Sequence, residues 1–212
     1  MLGSRSVVAV GERVWSRRDS RRVVVAGATL AGGALVARAG VPDVERAVFE
    51  AVNGLPDELY GPAWLPMQSG SIAGGLVLAA ALGVTTRRPV VGAVAVGAVS
   101  SAWLVAKQVK ELVQRERPVG AGLAVKVRDD SVGLGYASGH SAVAFAMYAV
   151  AAPHLRPPWR RGALGLAVFV ALARIYSGAH LPLDVVGGAS LGVILGEGFR
   201  AMEAWHAEGR RA

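Results

Sequence analysis

The sequence contains no cysteine, which excludes disulfides and thiolate chemistry, and with it phosphatases that use a cysteine nucleophile. Charge is also scarce, at 18% of residues, against roughly 25% in an ordinary soluble domain. No internal repeat and no low-complexity tract is present. Acidic residues are the rarer sign, 15 Asp and Glu against 23 Lys and Arg, for a formal net charge of +8. The rest is apolar: 53% hydrophobic residues and 28 glycines in 212 residues, with a mean hydropathy of +0.42. That length suits one domain. Abundant glycine in an apolar chain suits transmembrane helices whose backbones approach closely. The class indicated is a polytopic membrane protein.

Six apolar stretches, at 23–41, 65–84, 89–109, 141–155, 163–177 and 185–199, read as spans, some of them shorter than the ~20 residues that an untilted helix needs. The expected fold is an all-α membrane protein with six transmembrane helices in a bundle and a short interfacial helix between the first two. Residues 1–22 are expected to be a basic cytoplasmic tail, 23–205 the membrane domain, and 206–212 a second cytoplasmic tail.

A basic chain can serve nucleic acid, but these charges sit in short clusters between apolar runs, the placement of topology-setting Lys and Arg. No nucleic-acid partner is expected. Arg5, Arg13, Arg17, Arg18, Arg21 and Arg22 precede the first span, and Arg87 and Arg88 separate the second and third. Arg156, Arg160 and Arg161 separate the fourth and fifth, and Arg200, Arg210 and Arg211 follow the sixth. This alternation puts both termini in the cytoplasm. The connection after the first span carries Asp43, Glu45, Glu50, Asp57 and Glu58 against Arg46 alone. It falls outside, as do the third-to-fourth and fifth-to-sixth connections. In it, Val44, Ala47, Val48, Ala51 and Val52 recur at helical spacing up to the turn signal Asn53-Gly54. A helix lying in the interface, or one packed on the bundle, accounts for that pattern. Ala37-Arg38-Ala39 resembles a signal-peptide cleavage triplet, but the basic segment before it is long and the triplet contains Arg, so no cleavage is expected.

Three outer segments hold nearly all the unusual polar residues. In the first, Lys110 and Arg117 are seven apart, two helical turns and hence one face, and Pro118 disfavours helix at Arg117. The second is Ala137-Ser138-Gly139-His140. Ser138 is a good N-cap, Gly139 admits an anion close to the backbone, and a helix start is a natural phosphate cradle. In the third, Arg174 is followed after five residues by His180 and after three more by Asp184. Asp184, four residues on, can hold one ring nitrogen of His180 and leave the other free to attack. Taken singly, a Lys or Arg near a helix end snorkels to the headgroups, and a lone interfacial His is structural. Convergence of three cations, two His and one Asp on one face is what points to a site.

These segments resemble the tripartite signature of the type 2 phosphatidic acid phosphatase superfamily: K-x6-R-P in Lys110, Arg117 and Pro118, P-S-G-H in Ser138, Gly139 and His140, and S-R-x5-H-x3-D in Arg174, His180 and Asp184. Ala137 stands for the usual Pro and Ala173 for the usual Ser, and neither change removes a proposed catalytic group. The resemblance implies a multi-pass protein of the inner (cytoplasmic) membrane with its active site on the extracytoplasmic face. It implies catalysis by His180, His140 and Asp184, and phosphate binding by Lys110, Arg117, Ser138, Gly139 and Arg174. His180 would form a phosphohistidine and His140 would protonate the leaving oxygen. No cofactor and no metal is implied, and Asp129-Asp130 reads as a solvated loop rather than a ligand pair. The absence of D-x-D-x-T leaves an aspartyl-phosphate phosphatase unsupported. The expected partner is a lipid phosphate drawn from the bilayer, with polyprenyl (undecaprenyl) pyrophosphate preferred. Phosphatidic acid and phosphatidylglycerol phosphate stand as alternatives. So do a lipid phosphotransferase using the same site and a non-enzymatic anion or lipid-binding transporter.

Overall fold

The computed structural model describes residues 16–129 and 132–209. Arg5, Arg13, Asp130, Arg210 and Arg211, and with them most of the expected tail at 1–22, lie outside the described residues. The elements are α1 (Arg17–Ala39), α2 (Asp43–Asn53), α3 (Tyr60–Met67), α4 (Ile72–Thr85), α5 (Pro89–Val113), α6 (Gly139–Ala151), α7 (Pro157–Tyr176) and α8 (Pro182–Gly209). No strand occurs among the described residues.

Among the described residues, three segments are long and apolar enough to cross a membrane: α1, α5 and the 182–205 part of α8. A fourth arises if 57–70 and 72–85, which meet at a 65° bend, count as one span. The helix at the expected fourth span, α6, has 13 residues and rises about 20 Å, less than the ~30 Å hydrocarbon core. The stretch 65–84 is not one helix, contrary to the sequence expectation. It breaks where Ser71 caps α4, its Oγ accepting the Gly74 N–H at 3.0 Å. Gly70 fixes the break against α6, since a Cβ there would lie 2.7 Å from the His140 carbonyl oxygen.

The expected tails are also partly structured. Ser16 and Asp19 form a capping box, the Asp19 carboxylate accepting the Ser16 N–H at 2.9 Å, and α1 starts at Arg17. Asp19 is buried against Arg200, 2.8 Å away. At the other terminus α8 continues to Gly209.

The core is built from small residues. Ala95, Ala98, Val99, Ala102 and Ala106 of α5 pack on Ala142, Val143, Ala146 and Val150 of α6. α8 closes on α6 through Gly188, Gly192 and Gly196, where an added Cβ would come within 2.3, 2.3 and 2.6 Å of α6 atoms or its cap. Only small residues at four-residue spacing allow that approach.

α2 turns its faces the other way from a helix buried by its apolar stripe. Val44, Ala47, Val48 and Ala51 are exposed, whereas Glu45, Phe49 and Asn53 are buried. Phe49 packs with Ile175, Leu181 and Val185 of α7 and α8 and the turn between them. Asn53 clamps the loop before α6: its Nδ2 donates to the carbonyls of Lys126 and Tyr176 at 3.0 Å each, and its Oδ1 accepts the Lys126 N–H at 2.8 Å. The polar stripe therefore holds the helix to the bundle and leaves the apolar one facing outward.

Candidate active site

The C-terminal ends of α5 and α7 and the N-terminal ends of α6 and α8 meet at one end of the bundle, around a cavity of about 550 Å³. Lys110, Arg117, Gly139, His140, Arg174 and His180 line it. Ser138 and Asp184 stand behind them, fully buried.

The spacing of Arg174 and His180 is a helix ending. Gly178 has φ +79°, the left-handed conformation that stops a helix. The Ala179 N–H reaches the Arg174 carbonyl at 3.2 Å and the Gly178 N–H reaches that of Ile175 at 3.0 Å, the paired bonds of a Schellman ending. Arg174 is thereby left on the last turn of α7, and His180 follows immediately after the reversal. α8 then starts at Pro182, and the Asp184 carboxylate folds back to accept the Leu181 N–H at 2.9 Å, as an acidic residue in the first turn of a helix does in a capping box. The same Oδ2 lies 3.3 Å from His180 Nδ1. The other ring nitrogen, Nε2, is 3.4 Å from Arg117 Nη1, which can only donate. This pairing assigns the proton to Nδ1 and the lone pair to Nε2.

Lys110 and Arg117 do not share a helical face, contrary to the sequence expectation. α5 ends at Val113 because Gln114 adopts φ +55° and its N–H closes on the Lys110 carbonyl at 2.9 Å. Arg117 reaches the cavity from the following loop, donating through Nη1 to the Ala179 carbonyl at 2.6 Å. Lys110 Nζ donates to the carbonyls of Leu134 and Gly135 at 2.7 and 2.9 Å. Arg174 pairs with Asp129. Asp129 is thus not the solvated loop residue expected: its carboxylate sits on a cation of the candidate phosphate site.

At the start of α6 the donors differ from expectation in one respect. The Ser138 N–H donates to the Asp184 backbone carbonyl at 2.8 Å, so it is not available to an anion, and Ser138 contributes by capping, with its Oγ toward the Ser141 N–H. The N–H groups of Gly139 and His140 have no partner among the described residues. A Cβ on Gly139 would meet only Trp103 Cδ1, 4.0 Å away. The protein itself does not need glycine there, and the space it leaves belongs to the cavity.

Two charged groups behind the site were not singled out from sequence. Arg115 donates to Asp184 Oδ1 at 3.0 Å and to both Glu45 oxygens, at 3.0 and 2.6 Å. Glu45 also accepts the Leu183 N–H at 2.8 Å. Burial works against the Arg115 charge, but Glu45 and Asp184 outweigh it and hold the guanidinium above its ordinary value. Arg115 lies inside the Lys110–Arg117 segment, and Glu45 is four residues before the buried Phe49, so a polar inner stripe on α2 was the available signal. Around His180 the balance runs the other way. Complete burial, then the charges of Lys110, Arg117, Arg174 and His140, keep its imidazole well below the ordinary histidine value. A neutral, oriented imidazole facing clustered cations can attack an electrophile that carries negative charge.

The sequence matches the family model of the PAP2 superfamily over residues 88–206, more than half of the chain and all three motif segments. No curated protein matches it. Among solved structures, the transmembrane PAP2-type phosphatidylglycerolphosphate phosphatase of Bacillus subtilis aligns with a TM-score of 0.66 at 22% identity, over 85% of this chain and 94% of that one. LpxE of Aquifex aeolicus aligns with a TM-score of 0.60 at 21% identity, over 76% of this chain and 93% of the other. The likeness to both is one of fold.

Proposed function

This chain belongs to the PAP2 superfamily, and from that premise we propose that it is a metal-independent membrane phosphatase acting on lipid phosphates or pyrophosphates through a phosphohistidine. The observation that carries this reading is the setting of His180, with Asp184 on one ring nitrogen and Arg117 beside the other, at a cavity shared with Lys110, Arg174 and the start of α6. Nε2 attacks the terminal phosphorus as its bond to the leaving oxygen breaks, the lipid oxygen of a monophosphate or the bridging oxygen of a pyrophosphate, and His140 gives that oxygen a proton. Burial and the neighbouring cations lower the His140 pKa to about 3, so it carries that proton only with the negative charge of the substrate beside it. Water then attacks the phosphohistidine and passes a proton to His140, the P–N bond breaks, and inorganic phosphate leaves with His180 neutral and His140 protonated again. Lys110, Arg117 and Arg174 neutralise the transferring oxygens with the N–H groups of Gly139 and His140. Asp184 orients His180 and stabilises the imidazolium character that develops in the transition state.

Positive-inside clustering supports an inner-membrane protein with both termini cytoplasmic and the cavity on the extracytoplasmic side. The substrate would then carry its phosphate at the outer leaflet, and polyprenyl pyrophosphate is the preferred candidate. The exposed apolar face of α2 suits a helix lying in the interface beside the cavity. The test is phosphate release in detergent from polyprenyl pyrophosphate, phosphatidic acid and phosphatidylglycerol phosphate, with and without EDTA. Full activity in EDTA, loss in His180→Ala and an acid-labile phosphoprotein on brief exposure to labelled substrate are expected. Metal dependence removes the mechanism, and turnover by His180→Ala removes the nucleophile assignment.

A further inference from the structure

A second cavity, of about 720 Å³, lies at the opposite end of the bundle between α1, α6, α7 and α8. Its walls are mainly apolar, with Val25 of α1, Phe145 of α6, and Ala189 and Val193 of α8, and its mouth is basic, with Arg18, Arg21, Arg22 and Arg200. Arg18, Arg22, Val25 and Thr29 fall on one face of α1 by their spacing. From Ala189 to Arg200 the helical rise amounts to about 16 Å, close to half of the ~30 Å hydrocarbon core. The slot is therefore about one leaflet deep, with its cations at the water end.

The charges do not cancel. Glu197, which also lines the cavity, lies 3.3 Å from Arg22 and is hydrogen-bonded to Arg200, and Asp19 behind it lies 2.8 Å from Arg200. Two carboxylates thus account for two arginines. Arg18 and Arg21 are exposed and have no ion pair among the described residues, and they add to the partial positive charge at the start of α1. An anionic headgroup alone has no use for the apolar depth, and an uncharged tail has none for the surplus cations.

We propose that this cavity binds an anionic phospholipid of the leaflet at that end of the bundle, its phosphate on Arg18 and Arg21 and an acyl chain along Val25, Phe145 and Val193. Arginine clustering makes that leaflet the cytoplasmic one, where basic pockets between helices meet anionic headgroups. The inference is independent of the catalytic reading, because no residue of this slot lines the cavity at His180.

The test is native mass spectrometry of the purified full chain in detergent, titrated with phosphatidylglycerol and with phosphatidylcholine of the same tails. Wild-type protein is expected to retain one phosphatidylglycerol in preference to phosphatidylcholine. Arg18→Ala/Arg21→Ala should weaken that retention about 30-fold. Val25→Trp, which leaves the charges and fills the slot, should lose it as well. Equal retention of the two lipids by wild type overturns the proposal, as does undiminished retention of phosphatidylglycerol by either variant. Melting in lipid-free detergent checks that the variants fold. Phosphate release from a short-chain lipid phosphate is expected to stay at the wild-type level in both, so failure of this site is distinguishable from failure of the catalytic one.

Discussion

Arg115 offers the sharpest test of how the site is held. Its side chain is 4% exposed, and those of its partners Glu45 and Asp184 are 3% and 0%. Arg115→Met removes both attractions and leaves two carboxylates buried around an apolar side chain. Breaking a buried ion pair by deleting one partner costs roughly 3–5 kcal/mol. At about 2–4 °C per kcal/mol for a chain of this size, melting should fall by about 6–20 °C. Catalysis should suffer separately. Arg115 does not line the cavity and acts only through Asp184 and the start of α8. A fall in kcat of about 10- to 100-fold is expected, by analogy with the loss when partners behind metal-ligating histidines are removed, with KM little changed. Adding Glu45→Gln to Arg115→Met removes one of the stranded charges while keeping an acceptor for the Leu183 N–H, and should restore part of the lost melting temperature. The measurements are thermal melting in detergent and steady-state kinetics on the best lipid substrate. A variant that melts and turns over like wild type refutes the claim that Glu45 and Arg115 support the His180–Asp184 pair.

Two further outcomes follow from the geometry. The Arg117 charge helps to keep His180 below the ordinary histidine value, so Arg117→Met should raise that pKa, and His180 would become protonated at higher pH. The acid limb of the kcat/KM profile should therefore move upward in pH, beyond the general loss of activity, and an unmoved limb contradicts the assignment of His180 as the free base. Two glycines should part company. Gly139→Ala meets only Trp103 Cδ1 at 4.0 Å and should keep the melting temperature while lowering kcat/KM. Gly187→Ala would set a Cβ 2.4 Å from Tyr136 Cζ and should cost about 1–3 kcal/mol of stability by overpacking. Equal effects on melting would contradict this account of α6 and α8.

Legibility differed from residue to residue. The Arg174-x5-His180-x3-Asp184 spacing was readable because each gap is set by local geometry: a Schellman reversal at Gly178 and a first-turn carboxylate on α8. The Lys110–Arg117 spacing was readable as a pair but not as a shape, since a left-handed Gln114 ends the helix and no periodicity announces it. The break at Gly70-Ser71 inside an apolar run was hidden for a similar reason, because its cause is the backbone of α6 and not a local signal. Asp129 beside an adjacent Asp read as solvent-facing, and only the path of the loop brings it to Arg174. On α2 the apolar stripe was legible, but a hydrophobic pattern does not distinguish a protein core from a lipid surface.

By itself the sequence determined an all-helical apolar chain, the clustering of its basic residues between apolar runs, and the motif residues that the fold gathers around one cavity. Those properties reside in composition, in helical period and in gaps of seven residues or fewer. Tertiary structure decided what stands behind the nucleophile. Glu45 and Arg115 are 70 residues apart and Arg115 and Asp184 are 69 apart, so no local rule couples them. Their meeting is enforced by burial, because charges taken out of water must find one another.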